Sequence, residues 1–132
     1  MTAASSDFFP LRIFVVEDHK DTLKALQLYL EQLGHIVLFA QTKAQALKEI
    51  PTSNCQVLIS DINLPDGNGW ELMDEIENSR PSYAIALSGH GMKADRAMSA
   101  EVGFRHHVVK PIFPRKLDAL LEEATAELKE KG

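Results

Sequence analysis

The sequence predicts an α/β fold, a doubly wound five-stranded parallel sheet flanked by five helices. Three observations lead there. Five short runs rich in Val, Ile and Leu are apolar throughout, as strands buried on both faces of a parallel sheet must be. The segments between them space their apolar residues at a period near 3.6, the mark of amphipathic helices. The two kinds alternate along the chain, which calls for right-handed crossovers and helices on both sides of one sheet.

The elements follow in order. Residues 1–10 are small and polar until Phe8, Phe9 and Pro10, and read as a flexible lead-in to a domain spanning 11–132. Leu11–Val16 is the first strand. Leu23, Leu26, Leu30 and Leu33 form one helical stripe that Gly34 ends as a C-cap. Ile36–Ala40 is the second strand, and Ala44 and Leu47 mark a short helix expected to end before Pro51. Gln56–Ser60 is the third strand. A turn at Gly67–Gly69 then precedes a helix marked by Trp70, Leu72, Met73 and Ile76. After the fourth strand, Tyr83–Leu87, a small-residue helix is signalled by Ala94, Ala97 and Met98. Phe104–Val109 is the fifth strand. The last helix has Pro114 in its first turn, an apolar stripe at Leu117, Leu120, Leu121, Ala124 and Leu128, and a solvated charged face.

Composition narrows the function. The 132 residues suffice for one self-standing core, and 45% hydrophobic with 25% charged residues is ordinary for a globular domain. A net charge of −5 without a basic run argues against a nucleic-acid surface. Cys55 is the sole cysteine, so neither an internal disulfide nor a cysteine zinc site can form. No apolar run approaches the ~20 residues of a membrane helix, and Met1–Pro10 lacks the basic-then-apolar pattern of a secretory signal. A cytoplasmic location is expected.

Chemistry concentrates at the strand ends. Glu17 and Asp18 follow the first strand, Asp61 the third, Ser88 the fourth and Lys110 the fifth. In a parallel sheet these ends share one edge, where open α/β folds bind ligands. Three carboxylates, a hydroxyl and an ammonium therefore meet in one cleft. Acids so close resist joint ionisation unless a cation offsets them, and oxygen-only ligands favour Mg²⁺ over Zn²⁺. The cleft reads as a phosphoryl-transfer site with Asp61 as nucleophile. Asp18 would bind the metal directly and Glu17 directly or through water, with the Asn63 backbone carbonyl completing the shell. Lys110 would pair with phosphoryl oxygens as a point charge, and Ser88 would donate its hydroxyl to another.

These residues carry a resemblance. Glu17-Asp18, Asp61-Ile62-Asn63-Leu64-Pro65-Asp66-Gly67, Ser88-Gly89 and Lys110-Pro111 together resemble the signature of the response-regulator receiver family, over roughly residues 11–130. Each motif is common alone; five in order, each at a predicted strand end, are specific. The resemblance implies a flavodoxin-like receiver fold with strand order 2-1-3-4-5. It implies phosphotransfer from a phosphohistidine on a sensor histidine kinase or a histidine phosphotransfer protein. It also implies an output face of helix four, strand five and helix five, through which a homodimer could form. Asn63 and His90 would flank the path of hydrolytic water and tune phosphoryl lifetime. His107 stands where the family usually has the Tyr or Phe that switches rotamer as the hydroxyl residue moves. The expected role is a signalling switch, not a metabolic enzyme, standing alone or within a larger protein.

Bland readings exist for each residue. Asp61 and Ser88 could be helix caps, Lys110 a surface turn residue and the Glu17-Asp18 pair a solvated turn. His106 and His107, adjacent on a strand, point to opposite faces and cannot chelate one ion. An aspartyl-phosphate phosphatase would need a second Asp as general acid where Asn63 stands. A flavodoxin-type module would need a phosphate loop where Glu17 and Asp18 repel phosphate. A degenerate receiver serving as a binding scaffold would not keep all five chemical positions.

Overall fold

Val, Ile and Phe dominate the first strand, and its four residues Ile13–Val16 are fully buried because both faces meet helices. The computed structural model describes residues 8–89 and 93–131. The elements are β1 Arg12–Val16, α1 Lys20–Gln32, β2 Ile36–Ala40, α2 Lys43–Ser53, β3 Val57–Asp61, α3 Gly69–Glu75, β4 Tyr83–Ser88, α4 Lys93–Glu101, β5 His106–Val109 and α5 Pro114–Lys131. The sheet is parallel, in the order β2-β1-β3-β4-β5. A miniature antiparallel hairpin, Asn63–Leu64 against Gly67–Asn68, and a short 3-10 turn at Glu77–Ser79 are additional.

Alternate residues of each strand feed two cores. Ile13, Val15, Ile59 and Ile85 pack with Leu23, Leu26 and Leu30 of α1 and Leu117, Leu120 and Leu121 of α5. Phe14, Val16, Leu58 and Ala86 pack with Ala46 and Ile50 of α2 and Leu72 and Met73 of α3. Each buried Leu or Ile contributes about 1.5–3 kcal/mol, so the two layers together hold all the strand ends in one plane.

Local signals explain most boundaries. Gly34 ends the first helical segment with φ 100°, and a Cβ there would approach the Phe8 ring to 2.8 Å. Asn68 and Glu71 form a reciprocal capping box at α3. Pro114 opens α5.

Two expectations change. The second helix does not end before Pro51 but runs on to Ser53. Pro51 lies in its last turn, where only one intrahelical bond is lost, and buried Ile50 and Ser53 hold the turn down. Asn54 then closes it in the left-handed conformation. Of the expected lead-in, residues 1–10, residues 1–7 lie outside the described residues; Phe9 packs against the first core and Phe8 against His35. The apolar markers of the fourth helix, Ala94, Ala97 and Met98, turn outward, and Ser99 is the buried residue of α4. That helix meets the body through a polar contact instead of an apolar stripe.

Candidate functional site

The parallel sheet brings the C-terminal ends of β1, β3, β4 and β5 to one edge. Glu17 follows β1 and is fully buried; Asp61 ends β3 at 5% exposure; Ser88 ends β4 and is buried. Asp61 pairs in register with Leu87, so Ser88 lies one step further along the neighbouring strand. Lys110 follows β5, its backbone N–H donating to the Ser88 carbonyl at 2.7 Å, and the Lys110–Pro111 peptide is cis.

The Lys110 ammonium bridges two of the acids. Its Nζ lies 2.8 Å from Asp61 Oδ2 and 2.8 Å from Glu17 Oε1. The contact with Asp61 is a hydrogen bond, whereas that with Glu17 Oε1 is an ion pair off the hydrogen-bonding direction. The other Glu17 oxygen accepts the His19 backbone N–H at 3.1 Å. Asp18 is exposed, and carboxylate oxygens of Glu17, Asp18 and Asp61 come within 4.8 Å of one another. Gly69 is what lets the following helix start here: a Cβ at that position would sit 2.6 Å from the Asp61 carbonyl oxygen.

Charge is not balanced in this pocket. Burial pushes the Asp61 carboxyl up to about 6, and Glu17 beside it adds to the rise, against the pull of Lys110. Burial opposes ionisation of Glu17 as well, but Lys110 and the His19 amide hold its carboxyl below the usual value. Lys110 is held above its usual value: burial works against its charge, and the two carboxylates outweigh burial. One ammonium against three carboxylates leaves a deficit of positive charge. An all-oxygen donor set this tight fits a hard divalent cation.

The remaining predicted residues fall less uniformly. Asn63 is exposed in the hairpin just past Asp61. His90 lies outside the described residues. His107 is half-buried on β5, its Nδ1 2.8 Å from Ser99 Oγ, while His106 on the opposite face meets Glu123 of α5 at 2.6 Å. The adjacent histidines thus diverge, as strand geometry requires.

Two contacts escaped the sequence reading. Asp66 accepts the backbone N–H groups of Lys43 and Ala44, at 2.7 and 2.9 Å, and so pins the loop after β3 to the start of α2. Ser99 accepts the Trp70 indole N–H at 2.9 Å. An acidic turn residue and a helical serine carry no mark of such long-range partners.

A model of the response regulator receiver domain matches residues 13–122. The chain belongs to the response regulator receiver family. This receiver is 32% identical over 114 residues to an uncharacterised 14.6 kDa protein in the sodA1 3′ region of Leptolyngbya boryana, covering 84% of this chain and 87% of that one. It is 27% identical to the transcriptional regulatory protein ResD of Bacillus subtilis, over 86% of this chain but 49% of ResD. The receiver therefore spans about half the length of that regulator. Among solved structures, a CheY-like receiver domain protein from Methanospirillum hungatei superposes with TM-score 0.87 at 28% identity, covering 94% of this chain and all of that one. The beryllofluoride-activated DrrB receiver domain matches with TM-score 0.80 at 28% identity, over 89% of this chain and 99% of that one. ResD and PhoP of Bacillus subtilis, among these relatives, are named as transcriptional regulatory proteins. Among the described residues no helix is long and apolar enough to cross a membrane.

Proposed function

We propose that this receiver, residues 11–132 with residues 1–10 as a lead-in, accepts a phosphoryl group on Asp61 from a phosphohistidine of a sensor kinase or phosphotransfer protein. One observation carries the reading: Asp61 is buried at the sheet edge, hydrogen-bonded to Lys110 and within 4.8 Å of two further carboxylates. An Asp61 oxygen would attack phosphorus as the P–N bond to the donor imidazole breaks, the bonding pair leaving with the imidazole. Lys110 is positioned to meet a phosphoryl oxygen, and Ser88 to donate its hydroxyl to another. Asp18, Glu17, Asp61 and the Asn63 backbone carbonyl would hold Mg²⁺, which when bound supplies charge neutralisation for the phosphoryl oxygens. Asn63 and His90 would tune the lifetime of the aspartyl phosphate, and His107 would respond to movement of Ser88.

An apolar groove of about 640 Å³ beside Lys110, lined by Ala25, Leu26, Tyr29, Ile112 and Pro114, suits a helical phosphodonor partner. Met98, Val109 and Phe113 are exposed on α4, β5 and the approach to α5, which supports an output or homodimer face there. With a histidine kinase or phosphotransfer protein as donor, the receiver would work in the cytoplasm, as a switch and not a turnover enzyme.

Phosphoramidate with Mg²⁺ should add one phosphoryl group by intact mass, and Asp61→Asn should remove all labelling. Label on another residue, or rapid multiple-turnover release of phosphate in the manner of a phosphatase, would refute the assignment.

A further inference from the structure

The weakest-anchored helix of the receiver is α4. Ser99 is its one buried residue, at 1% exposure, whereas α5 buries Leu117, Leu120, Leu121 and Ala124. Ser99 is not buried idly. It accepts the Trp70 indole N–H from α3 at 2.9 Å and lies 2.8 Å from His107 Nδ1 on β5. Indole can only donate, so the Ser99 hydroxyl accepts from Trp70, and its second bond, to Nδ1, completes a chain Trp70–Ser99–His107 whose second link takes its direction from the imidazole tautomer. A helix with so little apolar burial depends on such bonds for its seat, because Ser99 itself is withdrawn from water.

The chain also ends next to the site. In the β4–β5 register Ala86 pairs with His107, and Ser88 with Val109. Paired residues of parallel strands share a face, and side chains alternate along a strand. His107 therefore stands on the same face as Ser88, one pleat back, beside the small side chain of Ala86.

We propose that Ser99 is a positioning residue: its hydroxyl latches α4 to α3 through Trp70 and to β5 through His107, and phosphorylation of Asp61 opens that latch. The inference rests on the receiver reading, in which Ser88 turns toward the phosphoryl group. The imidazole then moves toward the vacated space, its bond to Ser99 breaks, and α4 is left without its buried anchor. Without a hydrogen-bonding side chain at position 99, α4 loses both bonds, and movement of His107 is no longer transmitted to it.

The molecule carries its own reporter, because Trp70 is the sole tryptophan. Wild type treated with phosphoramidate and Mg²⁺ should show a change in Trp70 emission and faster amide exchange across residues 93–101, by about five- to tenfold. In Ser99→Ala the unphosphorylated protein should already show the fast exchange, label Asp61 to the wild-type extent, and give no further emission change. His107→Phe, which keeps a ring without a hydrogen-bonding nitrogen, provides the second variant: Trp70 keeps its partner, but α4 exchange no longer responds to label. Labelled wild type with unchanged emission and exchange would overturn the latch alone, as would a Ser99→Ala protein with the wild-type response. A wild-type chain that takes no label overturns the receiver reading and the latch with it.

Discussion

Replacing Asp61 by Asn removes one charge from the pocket while keeping the side chain's size. The consequence for the metal-free protein follows from the raised carboxyl. The folded chain holds the Asp61 proton up to about pH 6, against 3.8 as the reference value, because burial and Glu17 outweigh Lys110. A carboxyl raised on folding binds more protons in the native than in the unfolded state across this window, so native stability falls as pH rises through it. Well below pH 4 both states are protonated and the difference vanishes. Above about pH 6 it is fully present, worth about 1–3 kcal/mol at roughly 1.4 kcal/mol per unit, the lower figure if the pocket relaxes. Asp61→Asn should therefore unfold at higher urea than wild type at neutral pH in EDTA, and the gap should close on acidification. Saturating Mg²⁺ should narrow it from the other side: a hundredfold excess over Kd adds about 3 kcal/mol to wild type. A variant less stable than wild type at neutral pH, or a gap that does not vary with pH, would refute the charge argument.

Other perturbations follow from the same geometry. Lys110→Ala leaves Glu17 and Asp61 without their cation, and since Lys110 is 28% exposed the loss should be about 1–3 kcal/mol at neutral pH, below the 3–5 of a fully buried pair. That loss should fade on acidification as Asp61 takes up its proton near pH 6 and Glu17, held below its usual value, follows at lower pH, as urea titrations would show. Gly69→Ala forces a methyl to 2.6 Å from the Asp61 carbonyl oxygen. It should cost about 1–3 kcal/mol and weaken Mg²⁺ binding measured by calorimetry; an unchanged affinity would mean the strand end tolerates displacement. Asp66→Ala removes the acceptor for two α2 amides and should cost about 1 kcal/mol in thermal unfolding, with Asp66→Asn recovering part.

The alternation of apolar runs and helical stripes, with polar residues closing the runs, determined the layered fold and the identity of the site. These are local or periodic signals, written in residues a few positions apart. Gly34 and Pro114 are legible for the same reason, since each acts on its own turn, whereas the Asn68–Glu71 box emerged only with the structure. The helix carried past Pro51 shows where a local rule yields: burial of Ile50 outweighs one missing bond.

Only the tertiary structure decided which face of α4 turns inward, that Ser99 joins Trp70 to His107, and that Asp66 reaches across to α2. It also set the imbalance of charge around Asp61, which depends on how far burial outweighs a single ammonium. Such contacts join residues tens of positions apart through distances of about 3 Å, and their strength depends on exclusion of water. Periodicity and composition record which residues are available to make them, but the packed chain alone determines which ones meet.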